Sequence, residues 1–246
     1  MREIKKWVVV FDFDGTITLK PPKGKSLFVA LDEGVLPPEG RKAQKELYNQ
    51  FIPKARAGTM TSSEDEVWLL ESVKNYIRYG LTIEKARGAL ENIPIRSGVR
   101  ECLEMLRREG VPTAIVSHGV APLVELVLEL HNIPVPELIH KVCAMRLITH
   151  PELGFTGYDK GTVVLPSTKG EWSRHFADLH GVPHDNILAV GDTSGDRLLG
   201  HLKENRLAIA DDEAHAAAIA PFMGEVILTD DFSPVTAWLR SKMGLI

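Results

Sequence analysis

The chain has 246 residues, a net charge of −4 and a hydrophobic content of 44%, enough for one large domain or for a core carrying an insert. This balance offers no general basic field, so nucleic acid is not expected as a partner. Cys102 and Cys143 lack metal-type spacing and no segment reaches membrane-spanning length, so a cytoplasmic protein free of membranes is expected.

In chain order, the basic start through Trp7 imitates the head of an export signal, but Asp12 stops the apolar run too soon for one. That run, Trp7-Val8-Val9-Val10-Phe11, reads as a buried strand and ends in Asp12-Phe13-Asp14-Gly15-Thr16. Two carboxylates at a strand tip resist ionising together. A bound cation removes that difficulty, and open parallel sheets place ligands at the carboxyl ends of their strands.

Residues from about 19 to 94 are helical in pattern, over 39–56, 62–79 and 82–92. Thr61-Ser62-Ser63-Glu64 is a capping-box signature for the middle helix, and Val67, Leu70, Lys74 and Ile77 mark one of its faces. Lys20, Lys23, Lys25 and Arg56 could meet an anionic leaving group; the plainer reading is solvated surface charge. Gly24-Lys25-Ser26 copies the end of a Walker loop without its first Gly or its strand.

Strands and helices alternate beyond the insert. A helical pattern runs from Ser97 to Gly110, and strand 113–116 leads into Ser117-His118-Gly119. A helix near 121–131, an extended stretch 142–148 and a hairpin or ribbon over 155–165 follow. Lys169 opens a helix containing Trp172, Phe176 and Leu179. Strand 187–190 ends in Gly191-Asp192-Thr193-Ser194-Gly195-Asp196, repeating the grammar of a buried strand followed by acids. A helix near 195–203, strand 207–210, a helix from Glu213, strand 226–228 and a last helix capped by Ser233 complete the chain. Such βα repetition implies an α/β, Rossmann-like parallel sheet with helices on both faces.

Asp12 and Asp192, each directly after a strand, offer hard oxygen ligands of the kind that suit Mg²⁺. The Ser117 hydroxyl and neighbouring N–H groups could hold a phosphate oxygen, with His118 facing the same site.

In these four stations the chain resembles the haloacid dehalogenase superfamily phosphatases: a DxDGT-type strand end at Asp12 to Thr16, Ser117, Lys169, and a GDxxxD-type end at Gly191 to Asp196. The Lys169–Asp192 separation, the Lys-Gly-Glu context, and Arg146-Leu147-Ile148 with Thr156-Gly157 are similar to phosphoserine-phosphatase-like members. The resemblance implies a Mg²⁺-dependent phosphatase acting on a small phosphorylated metabolite through an aspartyl-phosphate. It makes Asp12 the nucleophile, Asp14 the general acid and base, and Lys169 the group screening nucleophile and phosphate. Ser117, His118 and Gly119 would bind substrate; Asp12, Asp192 and the Asp14 carbonyl would hold the metal; Asp196 would orient the metal's surroundings. Asp14 also separates phosphotransfer members from dehalogenases. The implied organisation is a catalytic core, 1–18 and 95–246, with a small α-helical cap domain, 19–94, inserted after the first strand. Where phosphoserine phosphatases carry a Glu that binds the substrate amine, this chain has Pro21-Pro22. Two alternatives stay open: a phosphotransferase or phosphomutase of the same superfamily, and a non-catalytic protein binding a phosphorylated ligand.

Overall fold

The structure, a computed structural model, describes residues 6–56, 59–152 and 154–245, the side chain of Arg56 excepted. Six parallel strands form the sheet, β1 (Val8–Phe11), β2 (Thr113–Val120), β3 (Lys141–Met145), β6 (Ile187–Gly191), β7 (Arg206–Ala210) and β8 (Glu225–Leu228), in the order β3-β2-β1-β6-β7-β8. From β1 the chain steps outward to β2 and β3, then returns across β1 to build β6, β7 and β8 on its other side. The switch point therefore lies between β1 and β6, where open α/β sheets hold their ligands. Phe11 pairs with both Val190 and Ile115, so the tips of β1, β6 and β2 stand together.

Alternate residues of β1 serve opposite faces, as a two-residue period requires. Val9 and Phe11 enter the core shared with Leu103 and Leu106 of α5 (Val99–Arg108), Leu123 and Val127 of α6 (Ala121–Leu130), and Leu239 of α9 (Ser233–Met243). Val8 and Val10 pack with Phe176 and Ala177 of α7 (Lys169–Leu179) on the other face. The α/β arrangement with helices on both sides is thus the one read from the sequence. Among the described residues, no helix is long and apolar enough to cross a membrane.

The segment between β1 and α5 is helical: α1 (Leu27–Gly34), α2 (Pro38–Arg56), α3 (Ser62–Arg78) and α4 (Ile83–Leu90). Its two ends run side by side, with a bridge between Thr18 and Ile95, Leu19 N–H donating to the Pro94 carbonyl at 3.0 Å and Arg96 N–H to that of Ile17 at 2.9 Å. The Thr61–Glu64 capping box forms as the sequence signals. Helix α1 was not legible in the pattern; Ser26 caps it by accepting the Val29 N–H.

Several local expectations are corrected. The buried residues of α3 are Leu69, Ser72, Val73, Asn75 and Tyr76, whereas Val67 is 47% exposed. Polar members disguise this pattern: Ser72 accepts from Gln44 Nε2 at 2.8 Å and the Tyr76 hydroxyl donates to Asp32 at 2.5 Å. Strand β2 continues to Val120 with a register break after Val116, a bulge that turns Ser117 and His118 at the tip. Instead of a helix near 195–203 there are 3₁₀ turns at Ser194–Leu198 and Lys203–Asn205. Gly195 and Gly200 weaken an α-helix there, and the Asp196 carboxylate is spent on the turn's own N–H groups. The ribbon is β4 (Leu147–His150) against β5 (Gly154–Tyr158), earlier than expected. At α9, Ser233 is the first helical residue, and Asp231 accepts its N–H at 3.0 Å.

Candidate active site

Backbone pairing of β1 with β6 sets the first two acids. Asp12 N–H donates to the Val190 carbonyl at 2.9 Å, so Asp12 leaves the sheet beside the strand that delivers Asp192. Lys169, 4% exposed at the first position of α7, reaches Asp12 Oδ1 and Asp196 Oδ1, both at 2.6 Å. Asp196 Oδ2 accepts the Asp192 N–H at 3.1 Å, the Thr193 N–H at 2.9 Å and the Thr193 hydroxyl at 2.8 Å. A Cβ on Gly191 would lie 2.6 Å from Asp196 Cγ, so this close approach requires glycine. Gly15 has φ +83°, and a Cβ there would collide with Asp192 Oδ2 and the Lys20 side chain.

Asp192 Oδ1 accepts the Thr16 hydroxyl at 3.1 Å. Its Oδ2 is paired with the Lys20 ammonium. His215 Nε2 lies 2.8 Å from the Asp192 carbonyl, and its Nδ1 accepts the Asp211 N–H, so the proton sits on Nε2. Asp14 Oδ1 accepts Leu27 N–H at 3.0 Å. Ser117 Oγ accepts Gly119 N–H at 3.0 Å at the tip of β2.

Burial dominates the electrostatics. It pushes the Asp12 carboxyl up to about 8; Lys169 opposes the shift, while Asp196 and Asp192 add to it. Asp14 rises to about 7 through burial, against the Leu27 N–H and with a contribution from Asp12. Asp192 rises to about 6 by burial, with Lys20 opposing. For Asp196 burial is outweighed by the Lys169 ammonium and two backbone N–H groups, and its carboxyl falls below the usual range. Lys169 is held above its ordinary value, since Asp12 and Asp196 overcome its burial.

Asp12, Asp192 and Asp196 offer oxygens within 4.8 Å of one another. Excess buried negative charge, which pushes the Asp12 and Asp192 carboxyls up, fits a hard divalent cation. Both oxygens of Asp196 already accept hydrogen bonds, so Asp12 and Asp192 are the freer ligands.

The structure therefore brings together Asp12, Asp14, Lys169, Asp192 and Asp196, with Ser117, His118 and Gly119 on the adjoining strand tip. Among the described residues, the buried His118 Nε2 has no hydrogen-bond partner, and burial, then Lys169, pushes the imidazole down to about 3. Lys23 and Lys25 do not join the site; they pair on the surface with Asp230 and Glu33. The Arg56 side chain lies outside the described residues. Thr16, already part of the first acidic motif, is the donor to Asp192, whereas sequence reading missed His215, Arg96 and Trp68, whose ring lies 5.7 Å from that of His118. The Arg96 guanidinium is buried and donates to the carbonyls of Gly15 at 2.8 Å and Thr229 at 2.6 Å, fastening the first acidic loop from behind. No local motif surrounds His215, Trp68 or Arg96, so pattern alone could not have found them.

Residues 9–201 match a sequence model described as haloacid dehalogenase-like hydrolase. The chain is 26% identical over 194 residues to a phosphoserine phosphatase of Methanocaldococcus jannaschii, covering 79% of this chain and 81% of that protein. It is 32% identical over 138 residues to a 2-hydroxy-3-keto-5-methylthiopentenyl-1-phosphate phosphatase of Microcystis aeruginosa, covering 56% of this chain and 55% of that one. In fold it is similar to cytosolic 5'-nucleotidase IIIB bound to cytidine, with a TM-score of 0.75, 20% identity, and 97% and 86% of the two chains covered.

Proposed function

The chain belongs to the haloacid dehalogenase-like hydrolase family, and from that premise we propose that it is a Mg²⁺-dependent phosphatase hydrolysing a small phosphorylated metabolite. The observation carrying this reading is the convergence of Asp12, Asp192 and Asp196 oxygens within 4.8 Å, with the Lys169 ammonium on Asp12 and Asp196. A pure binding protein has no need of a buried carboxylate paired with a second acid two residues away.

An Asp12 oxygen attacks phosphorus while the bond to the leaving oxygen breaks, and Asp14 gives that oxygen its proton. Asp14, now a carboxylate, takes a proton from water; the water oxygen attacks phosphorus and the bond to Asp12 breaks, freeing orthophosphate. A carboxyl pushed up to about 7 suits Asp14 to both steps. Lys169 balances the charge of Asp12 and of the transferring phosphoryl group, and Ser117 with the N–H groups beside it holds phosphoryl oxygens. Asp12, Asp192 and the Asp14 carbonyl would hold the cation, which supplies charge neutralisation for an anionic nucleophile meeting an anionic ester.

The helical segment 19–94 is read as a cap over this site. The paired chain at its base and the Asp14–Leu27 hydrogen bond support that role. Relatives named for phosphoserine and for a hydroxy-keto phosphate point to small esters. At the position where phosphoserine phosphatases carry an amine-binding Glu this chain has Pro21-Pro22, and the Lys20 before it is paired with Asp192.

A panel of phosphorylated metabolites with Mg²⁺, run on wild type and Asp12→Asn, tests the reading. Phosphate release by wild type alone, with a hydroxylamine-sensitive phosphoenzyme, is the expected result. Full turnover by Asp12→Asn overturns the assigned nucleophile.

A further inference from the structure

Two buried nitrogens in one contact have no hydrogen-bond partner among the described residues: Trp68 Nε1 and His118 Nε2. Their rings are 5.7 Å apart with planes at 57°. The Trp68 ring also meets Phe28 and Tyr48, each at 6.3 Å. This cluster adjoins the reaction centre on two sides. His118 follows Ser117 at the tip of β2, near enough to Lys169 to feel its charge. Phe28 follows Leu27, whose N–H is held by Asp14.

A buried polar group without a partner is costly, and two side by side call for an explanation. Indole N–H only donates, whereas a neutral imidazole nitrogen donates or accepts according to its tautomer. An oxygen placed between them satisfies both: a hydroxyl accepts from Trp68 and donates to His118, and a carbonyl accepts from each. An ammonium cannot accept from the indole. A carboxylate would meet the nearby Asp14 and Asp12, while the Lys169 ammonium is already held by Asp12 and Asp196 and burial keeps His118 neutral. The surrounding rings supply an apolar flank.

We propose that Trp68 and His118 form the leaving-group subsite, which takes an uncharged hydroxyl or carbonyl oxygen and so selects phosphate esters of oxygenated alcohols over those of amino alcohols. This rests on the phosphatase reading above and names the substrate class for the same site.

Three esters of one skeleton test it: propyl phosphate, glycerol phosphate and aminopropyl phosphate, compared by kcat/KM with Mg²⁺. Wild type is expected to favour the glycerol ester over both others by about tenfold. Trp68→Phe and His118→Asn should each abolish most of that preference, with orthophosphate inhibition retained as proof of an intact phosphate site. Preference for the amine or the plain alkyl ester, or undiminished preference in both folded variants, overturns the proposal. If none of the three is hydrolysed, the phosphatase reading is what fails for these esters, and calorimetric affinities of the same series decide the subsite. Tighter glycerol phosphate binding that both substitutions remove supports it; equal affinities overturn it.

Discussion

The Lys20 ammonium is paired with Asp192 Oδ2 just beyond the end of β6. A side-chain cation thus stands where a divalent ion would approach the same oxygen. Binding the ion requires Lys20 to give up Asp192, so the two cations compete. Lys20→Met should tighten Mg²⁺ binding by about tenfold, a Coulombic gain of the size expected for one partly screened charge. Calorimetric Mg²⁺ titration checks this; weaker binding in the variant would mean that Lys20 helps to assemble the site.

Among the described residues, Lys169 is the one cation paired with both Asp12 and Asp196. Lys169→Met leaves two buried carboxylates uncompensated, and breaking such a pair costs about 3–5 kcal/mol. Urea denaturation at neutral pH should show that loss, and Mg²⁺ should restore part of it by supplying positive charge to Asp12. Turnover should fall by at least about a hundredfold, the scale for removing a group that stabilises transition-state charge. An unchanged unfolding midpoint would show that the carboxylates protonate at little cost when the lysine is lost.

The parts of this site legible in the sequence are those the strand grammar fixes locally. Asp12 and Asp192 are announced by the apolar runs before them, and parallel pairing of Phe11 with Val190 makes those acids neighbours. Lys169 announces itself only as the start of a helix; its reach to two acids depends on how α7 packs against Val8 and Val10. Arg96 and His215 act on backbone carbonyls of distant loops, which no residue pattern encodes. The stripe of α3 was misread for a related reason. Ser72 and Tyr76 are buried because Gln44 and Asp32 satisfy them, and that satisfaction is tertiary. Similarly, the 3₁₀ turn after β6 follows from Asp196 bonding to Thr193 and Asp192.

Arg96 holds the Gly15 carbonyl, the Thr229 carbonyl and, at 3.3 Å, the Asp211 carboxylate. Arg96→Met should destabilise the fold by about 2–4 kcal/mol, because two inward-facing carbonyls lose a charged donor. It should also lower kcat, since the loop carrying Asp14 loses its support at Gly15. Thermal unfolding and kinetics on the same preparation check both effects; a stability loss with full kcat would confine Arg96 to the scaffold.

Cys102 and Cys143 are buried, and burial pushes their thiols up to about 12 and about 11. Little thiolate is present at neutral pH, so both should resist maleimide in the folded protein and react once urea unfolds it. Rapid labelling of the native protein would contradict this protection.

His118 gives the clearest pH test. Its imidazole is pushed down to about 3 in the folded protein, against about 6.5 when unfolded. Below pH 6.5 the unfolded chain takes up a proton that the folded chain refuses, so acid favours unfolding through this group. Its contribution is complete above the unfolded value and is lost as pH falls toward the folded one. The carboxyls raised by burial act in the opposite direction, so the bare wild-type profile does not isolate the histidine; the difference from His118→Asn does. Moving from about pH 7 to about pH 5 should shift that difference by about 2 kcal/mol in favour of the variant. Denaturant unfolding at the two pH values measures it, and a difference independent of pH would show that His118 titrates normally in the folded state.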